Sequence, residues 1–321
     1  MSKLQKNVYE TLDDILNDVF DDLMNLPFNI KPSRGVTSEI RGASFELTNP
    51  LARLSRSEIK SKAFSAIGEL LWYLSASNKL AFIEYYIPKY QEEEEDGVIH
   101  GGYGPRLFKM RGKYNQIKNV LSLLKDKPNT RRAVIQLYDA ADIAKKHKEI
   151  PCTCNLQFLI RDSKLYLYVS MRSNDAFKGL PHDIFAFTML QEIMARTLKL
   201  ELGSYYHSVG SLHLYQSDKT KVKKYLNEGF QPTNLNMLVM PAGDPWKSIK
   251  TLLKFEKAIR LGESITPDDL KLDPYWIDLA GLVYIHTLKT KRKSAEIRAV
   301  MQKINPVYKV FIEKRLVTSQ P

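Results

Sequence analysis

The residue with the most chemical potential in this 321-residue chain is Cys152, which follows Pro151 where a loop hands over to a strand. A thiol acts as a nucleophile only as its thiolate, which nearby positive charge favours. Taken alone, a cysteine there reads more often as a small buried apolar side chain than as a nucleophile. The residues downstream of it suggest more: Gln157, then Arg172-Ser173-Asn174-Asp175, then Gly179-Leu180-Pro181-His182-Asp183, then His213-Leu214-Tyr215. Arginine grips phosphate through its guanidinium fork, and serine, carboxylate, histidine and tyrosine can hydrogen-bond a sugar and a base. The set suits a phosphorylated nucleoside.

Hydrophobic periodicity indicates the elements that would position these residues. Val8, Leu12, Ile15, Leu16, Val19 and Leu23 recur at helical spacing, so residues 8–25 predict an amphipathic helix, and 43–48 alternate like a strand. An apolar helix follows at 58–76, and it carries Glu69 among core residues, an acid in need of an explanation. Residues 88–106, with four consecutive glutamates and Gly101-Gly102-Tyr103-Gly104-Pro105, predict a loop. A helix near 114–125 precedes strands at 131–138, 152–160 and 164–171, the last two joined by a turn at Arg161-Asp162-Ser163. A second apolar helix covers 183–199, a strand or loop covers 201–215, and the chain from 219 on reads as mostly helical. The fold class is α+β, a mixed sheet packed against helices. We expect a core over 1–218 and a helical C-terminal extension over 219–321.

Hydrophobic content of 44% with 26% charged residues is that of a globular protein. No run approaches a membrane span and the Met1-Ser2-Lys3 start carries no apolar leader, so a cytoplasmic location is expected. Cys152 and Cys154 stand two apart in a strand, too close for a disulfide and too few for a metal site. No Gly-x-Gly-x-x-Gly and no P-loop is found. The net charge of +12 would attract nucleic acid, membrane surfaces or phosphorylated small molecules alike, and the basic runs at 219–224 and 289–293 also read as solvated helix faces.

Pro151-Cys152, Gln157-Phe158, Arg172-Ser173-Asn174-Asp175, Gly179-Leu180-Pro181 and His213-Leu214-Tyr215 together resemble the thymidylate synthase core, in that order and nearly at that spacing. The resemblance extends to Glu69-Leu70-Leu71-Trp72 and to Arg131-Arg132, covers about residues 8–218, and is poor over the last hundred residues. It implies a homodimer formed through the sheets and a nucleotide monophosphate attacked at carbon 6 by Cys152. Arg172, Ser173 and the loop residue Arg34 would hold the phosphate, with Arg131 and Arg132 reaching it from the partner subunit. Gln157, His213 and Tyr215 would complete the nucleotide site. Glu69 would order water for proton transfer and Tyr103 would assist proton removal. Asp175, Gly179 and His182 would contact 5,10-methylenetetrahydrofolate. Cys154 and Trp72 are expected to be packing residues.

One departure bears on the base. Uracil-specific members of the family carry asparagine where this chain has Asp183. A carboxyl group can accept from cytosine's amine and, when protonated, donate to its ring nitrogen. The resemblance is therefore strongest to the cytidylate (CMP/dCMP) hydroxymethylase branch. Without the family, Asp183 reads as an acid at a helix start. Residues 83–88 replace the family's tryptophan-bearing loop, and the closing segment of the methylating enzymes has no counterpart in 316–321. Both fit release of a hydroxymethyl product. The alternatives are methylation of dUMP as a thymidylate synthase, or an inactive RNA-binding relative.

Overall fold

Alternation of apolar and polar residues along 164–175 puts Leu165, Leu167, Val169 and Met171 on one face, and these four are buried. That strand, β5 (Lys164–Asp175), lies at the centre of a six-stranded sheet in the computed structural model, which describes residues 7–57, 63–232 and 236–312. The other strands are β1 (Val8–Tyr9), β2 (Thr37–Leu47), β3 (Val134–Gln136), β4 (Thr153–Arg161) and β6 (Glu201–Tyr215), in the order β1-β2-β6-β5-β4-β3. β4 and β5 form a hairpin in which Arg161 faces Lys164. Asp162 and Ser163 both have positive φ, 48° and 58°, as a two-residue turn matched to strand twist requires.

β5 and β6 are parallel, so a crossover must join them, and it is helix α6 (Leu180–Leu198). Most of α6 is buried, as expected of a helix apolar nearly all round. It packs on the sheet and on α2 (Ala63–Leu74), the helix that carries Glu69. The first helix, α1, spans Leu12–Asn25 and opens with a Thr11 capping box. Short helices α3 (Leu80–Ile83) and α4 (Tyr103–Phe108) and the longer α5 (Gln116–Asp126) fill the stretch before β3. The opposite sheet face stays half-buried or exposed, with the Tyr168 and Tyr206 rings stacked at 4.4 Å.

After the sheet come α7 (Lys219–Asn227), α8 (Trp246–Arg260), α9 (Pro274–Thr290) and α10 (Ser294–Lys303). α9 is almost entirely buried against α2, α8 and α10, and its core residues belong to the same cluster as those of the sheet. The basic runs at 219–224 and 289–293 lie on exposed surfaces of α7 and beyond α9, as a solvated reading expects.

Three expectations change. The first strand claims Val8 and Tyr9, so the first helix begins only at Leu12. The strand expected at 131–138 shrinks to three residues. The loop expected at 88–106 contains a 3-10 turn at Pro88–Glu93 and the start of α4. Residues 58–62, where the Glu69 helix was expected to begin, and 316–321 lie outside the described residues. Among the described residues, no helix is long and apolar enough to cross a membrane.

Candidate active site

The Cys152 thiol lies half-buried one residue before β4 begins, beside a bulge between Thr153 and Asn155. Its Sγ donates to Glu149 Oε1 at 3.7 Å and accepts from Arg172 Nη2 at 3.7 Å. Arg172 is fixed from behind, since Nε donates to the Pro151 carbonyl at 2.9 Å and Nη2 to the Ile150 carbonyl at 3.0 Å. Burial, then the Glu149 carboxylate, push the thiol pKa up to about 12, while Arg172 opposes them. The group is therefore a thiol near neutral pH.

Arg34 approaches the same point from the loop before β2. Its two terminal nitrogens bind Glu93 Oε1 at 2.8 Å and Glu149 Oε2 at 2.6 Å. Gly35, with φ of 123°, turns this loop close to the Tyr215 ring. Tyr215 and His213 meet edge to face at the end of β6, and the Lys178 ammonium sits 5.1 Å from the Tyr215 ring centre.

Behind the thiol lies a layer of acids and phenols. Tyr103 Oη accepts from the Thr153 backbone N–H at 3.1 Å and shares a 2.9 Å hydrogen bond with the Thr153 hydroxyl, which holds it next to Cys152. Glu69 is buried on α2, where the Tyr90 hydroxyl donates to it, and burial raises its carboxyl above the ordinary range. Asp183 sits in the first turn of α6. Burial, then the neighbouring Glu69 carboxylate, raise its pKa well above the ordinary carboxyl value, which favours the acid form. Asn174 Nδ2 donates to Asp183 Oδ2 at 2.6 Å, which marks Oδ2 as the accepting oxygen and leaves Oδ1 for the proton. Gly179 makes this contact possible, because a Cβ there would stand 3.1 Å from Asn174 Nδ2 and 3.4 Å from Asp183 Oδ2.

Residues 40–258, more than half the chain, match the family model described as thymidylate synthase. The chain belongs to the thymidylate synthase family. A deoxyuridylate hydroxymethyltransferase of Delftia phage PhiW-14 is 29% identical over 207 residues, 60% of this chain and 57% of that protein. The chain thus aligns with less than two thirds of that relative's length. Thermostable thymidylate synthase A from Bacillus subtilis shares the fold with a TM-score of 0.57 and 25% identity, over 67% of this chain and 84% of its own.

Cys152, Arg172, Arg34, Glu69, Tyr103, Asp175, Asp183 and Tyr215 converge on one end of the β4-β5-β6 strands. Ser173 follows Arg172 on β5, opposite Ser211, and His213 is opposite Asp175. Asp175 Oδ1 accepts the Phe177 and Lys178 backbone N–H groups, both at 2.9 Å, and so shapes the turn into α6. His182 Nδ1–H donates to the Lys178 carbonyl at 3.1 Å, leaving Nε2 to accept from the Ser65 hydroxyl at 3.0 Å. Gln157 lies elsewhere: it is five residues along from Cys152, roughly 16 Å at strand rise, and donates to the Arg131 carbonyl at 2.8 Å. Arg131 and Arg132 are exposed at that distant position. Cys154, expected in the core, is half-buried at the bulge, while Trp72 is buried as expected.

Four residues of the site were not singled out from sequence. Tyr90 and Glu93 come from the acidic stretch that reads as loop, Glu149 comes from the turn before Cys152, and Asn174 stands inside a motif where only its neighbours attracted a role. Only Glu149 left a signal, an acid three residues before a candidate nucleophile.

Proposed function

We propose that the chain is a pyrimidine nucleotide C5-hydroxymethyltransferase that converts CMP or dCMP to its 5-hydroxymethyl derivative with 5,10-methylenetetrahydrofolate. The observation that carries the base assignment is the Asp183 carboxyl, buried beside Cys152, oriented by Asn174 and shifted by burial towards its acid form. An acid with its proton on Oδ1 and an accepting Oδ2 presents one donor and one acceptor, the complement of cytosine's ring nitrogen and amine. In this reading Arg172, Ser173 and Arg34 hold the phosphate, and His213 and Tyr215 the sugar.

Attack by Cys152 forms the S–C6 bond as the C5=C6 electron pair moves to C5 and towards the ring nitrogen. Asp183 supplies a hydrogen bond to that nitrogen where negative charge accumulates, the place at which a fixed donor contributes most. C5 then bonds to the one-carbon unit, and its proton is removed by Tyr103 and by Glu69 through a water that Glu69 would order. The folate supplies a one-carbon unit at the methylene level. Asp175 would hold it, since Oδ2 retains acceptor capacity for an N–H pair while Oδ1 is capped, with Gly179 and His182 beside it. Cys152 leaves when water adds to the exocyclic methylene, and tetrahydrofolate is released unoxidised.

The hydroxymethyl outcome is supported by the segment that stands in for the family's tryptophan loop. The Tyr85 hydroxyl donates to Thr287 Oγ1 at 3.0 Å, the Tyr86 hydroxyl to Glu256 at 3.0 Å, and His286 Nε2–H to the Tyr85 carbonyl at 2.9 Å. These bonds hold the segment against α8 and α9. The phage relative's hydroxymethyltransferase name supports the same outcome. Its deoxyuridylate substrate favours a second reading, hydroxymethylation of a uracil nucleotide.

The dimer through the half-buried sheet face, with Arg131 and Arg132 acting across it, belongs to this proposal. Incubation with the folate and CMP, dCMP or dUMP labelled with tritium at carbon 5 tests the whole reading. Label release from the cytosine nucleotides alone is expected. Release confined to dUMP would overturn the base assignment, and appearance of dihydrofolate would overturn hydroxymethyl transfer.

A further inference from the structure

Arg34 and Arg172, the two arginines that would grip the phosphate within one protomer, are bridged by a single carboxylate. Glu149 Oε2 lies 2.6 Å from Arg34 Nη2, and Glu149 Oε1 lies 3.7 Å from Arg172 Nη2. A carboxylate with one oxygen towards each of two guanidinium groups imitates an oxyanion held between them. The same Oε1 accepts from the Cys152 thiol at 3.7 Å. The Glu149 side chain runs close past Gly101, where an added Cβ would stand 3.4 Å from its Cγ, and its own segment is tied to the acidic run. His147 Nδ1 pairs with Glu95 at 3.0 Å, Lys148 Nζ donates to the Glu94 carbonyl at 2.7 Å, and Glu93 holds the other terminus of Arg34.

We propose that Glu149 is a positioning residue that occupies the nucleotide phosphate's place between Arg34 and Arg172 and keeps Cys152 a thiol until a phosphate displaces it. The inference rests on the reading of these arginines as the phosphate site. Displacement frees both guanidinium groups for the phosphate and breaks the hydrogen bond from the Cys152 thiol to Glu149 Oε1, which holds the thiol's proton. Nucleophile and substrate recognition are thereby coupled. An internal competitor also lowers apparent affinity by the fraction of sites it leaves open.

The test uses inorganic phosphate and iodoacetamide, so it needs no turnover. Glu149→Gln keeps the shape and removes the charge. It is expected to bind inorganic phosphate on the order of tenfold more tightly by calorimetry, as removal of a competitor holding nine sites in ten would give. Without nucleotide, alkylation of Cys152 at pH 8, followed by peptide mass with Cys154 as internal reference, is expected to quicken by a similar factor. Glu93→Gln releases Arg34 alone; it should tighten phosphate binding but leave alkylation within about twofold, a near-neutral change by rate arithmetic. Unchanged or weaker phosphate binding by Glu149→Gln, or unchanged alkylation, would overturn the proposal. If Glu149→Gln fails to fold, Glu149→Asp keeps the charge on a shorter stem that cannot span both arginines, and the same two shifts are expected in smaller measure; their absence would overturn the proposal equally. An enzyme inert towards cytosine nucleotides that still shows both shifts would sink the base assignment and leave Glu149's role standing.

Discussion

Replacing Asp183 by asparagine exchanges a hydrogen-bond pattern at nearly constant volume. In the native site Oδ2 accepts from Asn174 at 2.6 Å, which leaves Oδ1 to donate when Asp183 is in its acid form. An amide retains one oxygen and one donor; with the Asn174 amide turned so that its Oδ1, which has no partner in the native site, accepts from the new NH2, the oxygen faces uracil's ring N–H and the NH2 its carbonyl. Against cytosine in that orientation both contacts are mismatched. Each buried hydrogen bond left unmade costs about 1–3 kcal/mol, so two at about 1.5 kcal/mol each cost about 3 kcal/mol together. The expected loss in kcat/KM for CMP and dCMP is on the order of a hundredfold, with roughly tenfold as the floor. Activity or C5 exchange on dUMP should rise. The sign with pH follows from the raised Asp183 pKa: the native enzyme holds the useful proton below that pKa and loses it, with activity on cytosine, as pH climbs through it. The amide has no proton to lose, so this alkaline decline should vanish in Asp183→Asn. Tritium release from the three nucleotides across pH measures both effects. An unchanged cytosine-to-uracil ratio would refute the reasoning and leave Asp183 as a helix-start acid.

The action of Arg131 and Arg132 across a dimer can be tested by mixing Cys152→Ser with an Arg131→Ala, Arg132→Ala double variant. Each is expected to be inactive alone, and random reassortment of a two-fold dimer should restore about a quarter of native activity; no recovery after subunit exchange would refute action in trans. Tyr90→Phe removes the hydroxyl that lowers the Glu69 pKa, so that carboxyl should hold its proton still more tightly. The acidic limb of kcat is then expected to move to higher pH, with about a tenfold drop at pH 6 and little change in KM. Gly68→Ala would place a Cβ 2.2–2.7 Å from the Tyr86 ring, against a segment held by Glu256 and His286. Overpacking of this kind costs about 1–3 kcal/mol, and a thermal melt should fall by several degrees.

The parts of the fold written in local periodicity were legible. The β4-β5 hairpin, α6 and the strand character of 164–171 follow from alternation, turn chemistry and helical spacing, while β5 runs on to Asp175. Where a tertiary partner decided the outcome, the sequence carried little trace of it. Val8 and Tyr9 have helical spacing with Leu12, yet pairing with Glu46 and Leu47 of β2 claims them as strand. The four-glutamate run looks like solvated loop because no local pattern records that Glu93 meets Arg34, 59 residues away. Motif residues such as Arg172 and Asp183 were visible because their types carry chemistry at fixed spacing. Glu149 and Asn174 were overlooked because their significance lies in the partner each touches, Arg34 at 115 residues' separation and Asp183 at nine.

The charge of the whole chain and the charge of the site pull in opposite directions, and their combination suits a small anionic substrate. A net charge of +12 raises the local concentration of any phosphorylated ligand over a distance of roughly a Debye length, about 8 Å at physiological salt. At the end of β4-β5-β6, however, Glu69, Glu93, Glu149, Asp175 and Asp183 gather around Cys152. Such a cluster is costly unless its members are neutralised, and the structure uses two devices. Glu93 and Glu149 are paired with Arg34, whereas Glu69 and Asp183 are pushed by burial towards their neutral forms. The first pair sits where a phosphate would arrive, and the second where a base would. An incoming nucleotide therefore meets arginines whose charge is already matched, and acids able to donate a hydrogen bond. Non-specific anions attracted by the outer field have to displace Glu149 without the compensating contacts of a base at Asp183, so selectivity comes from having to satisfy both ends of the site at once.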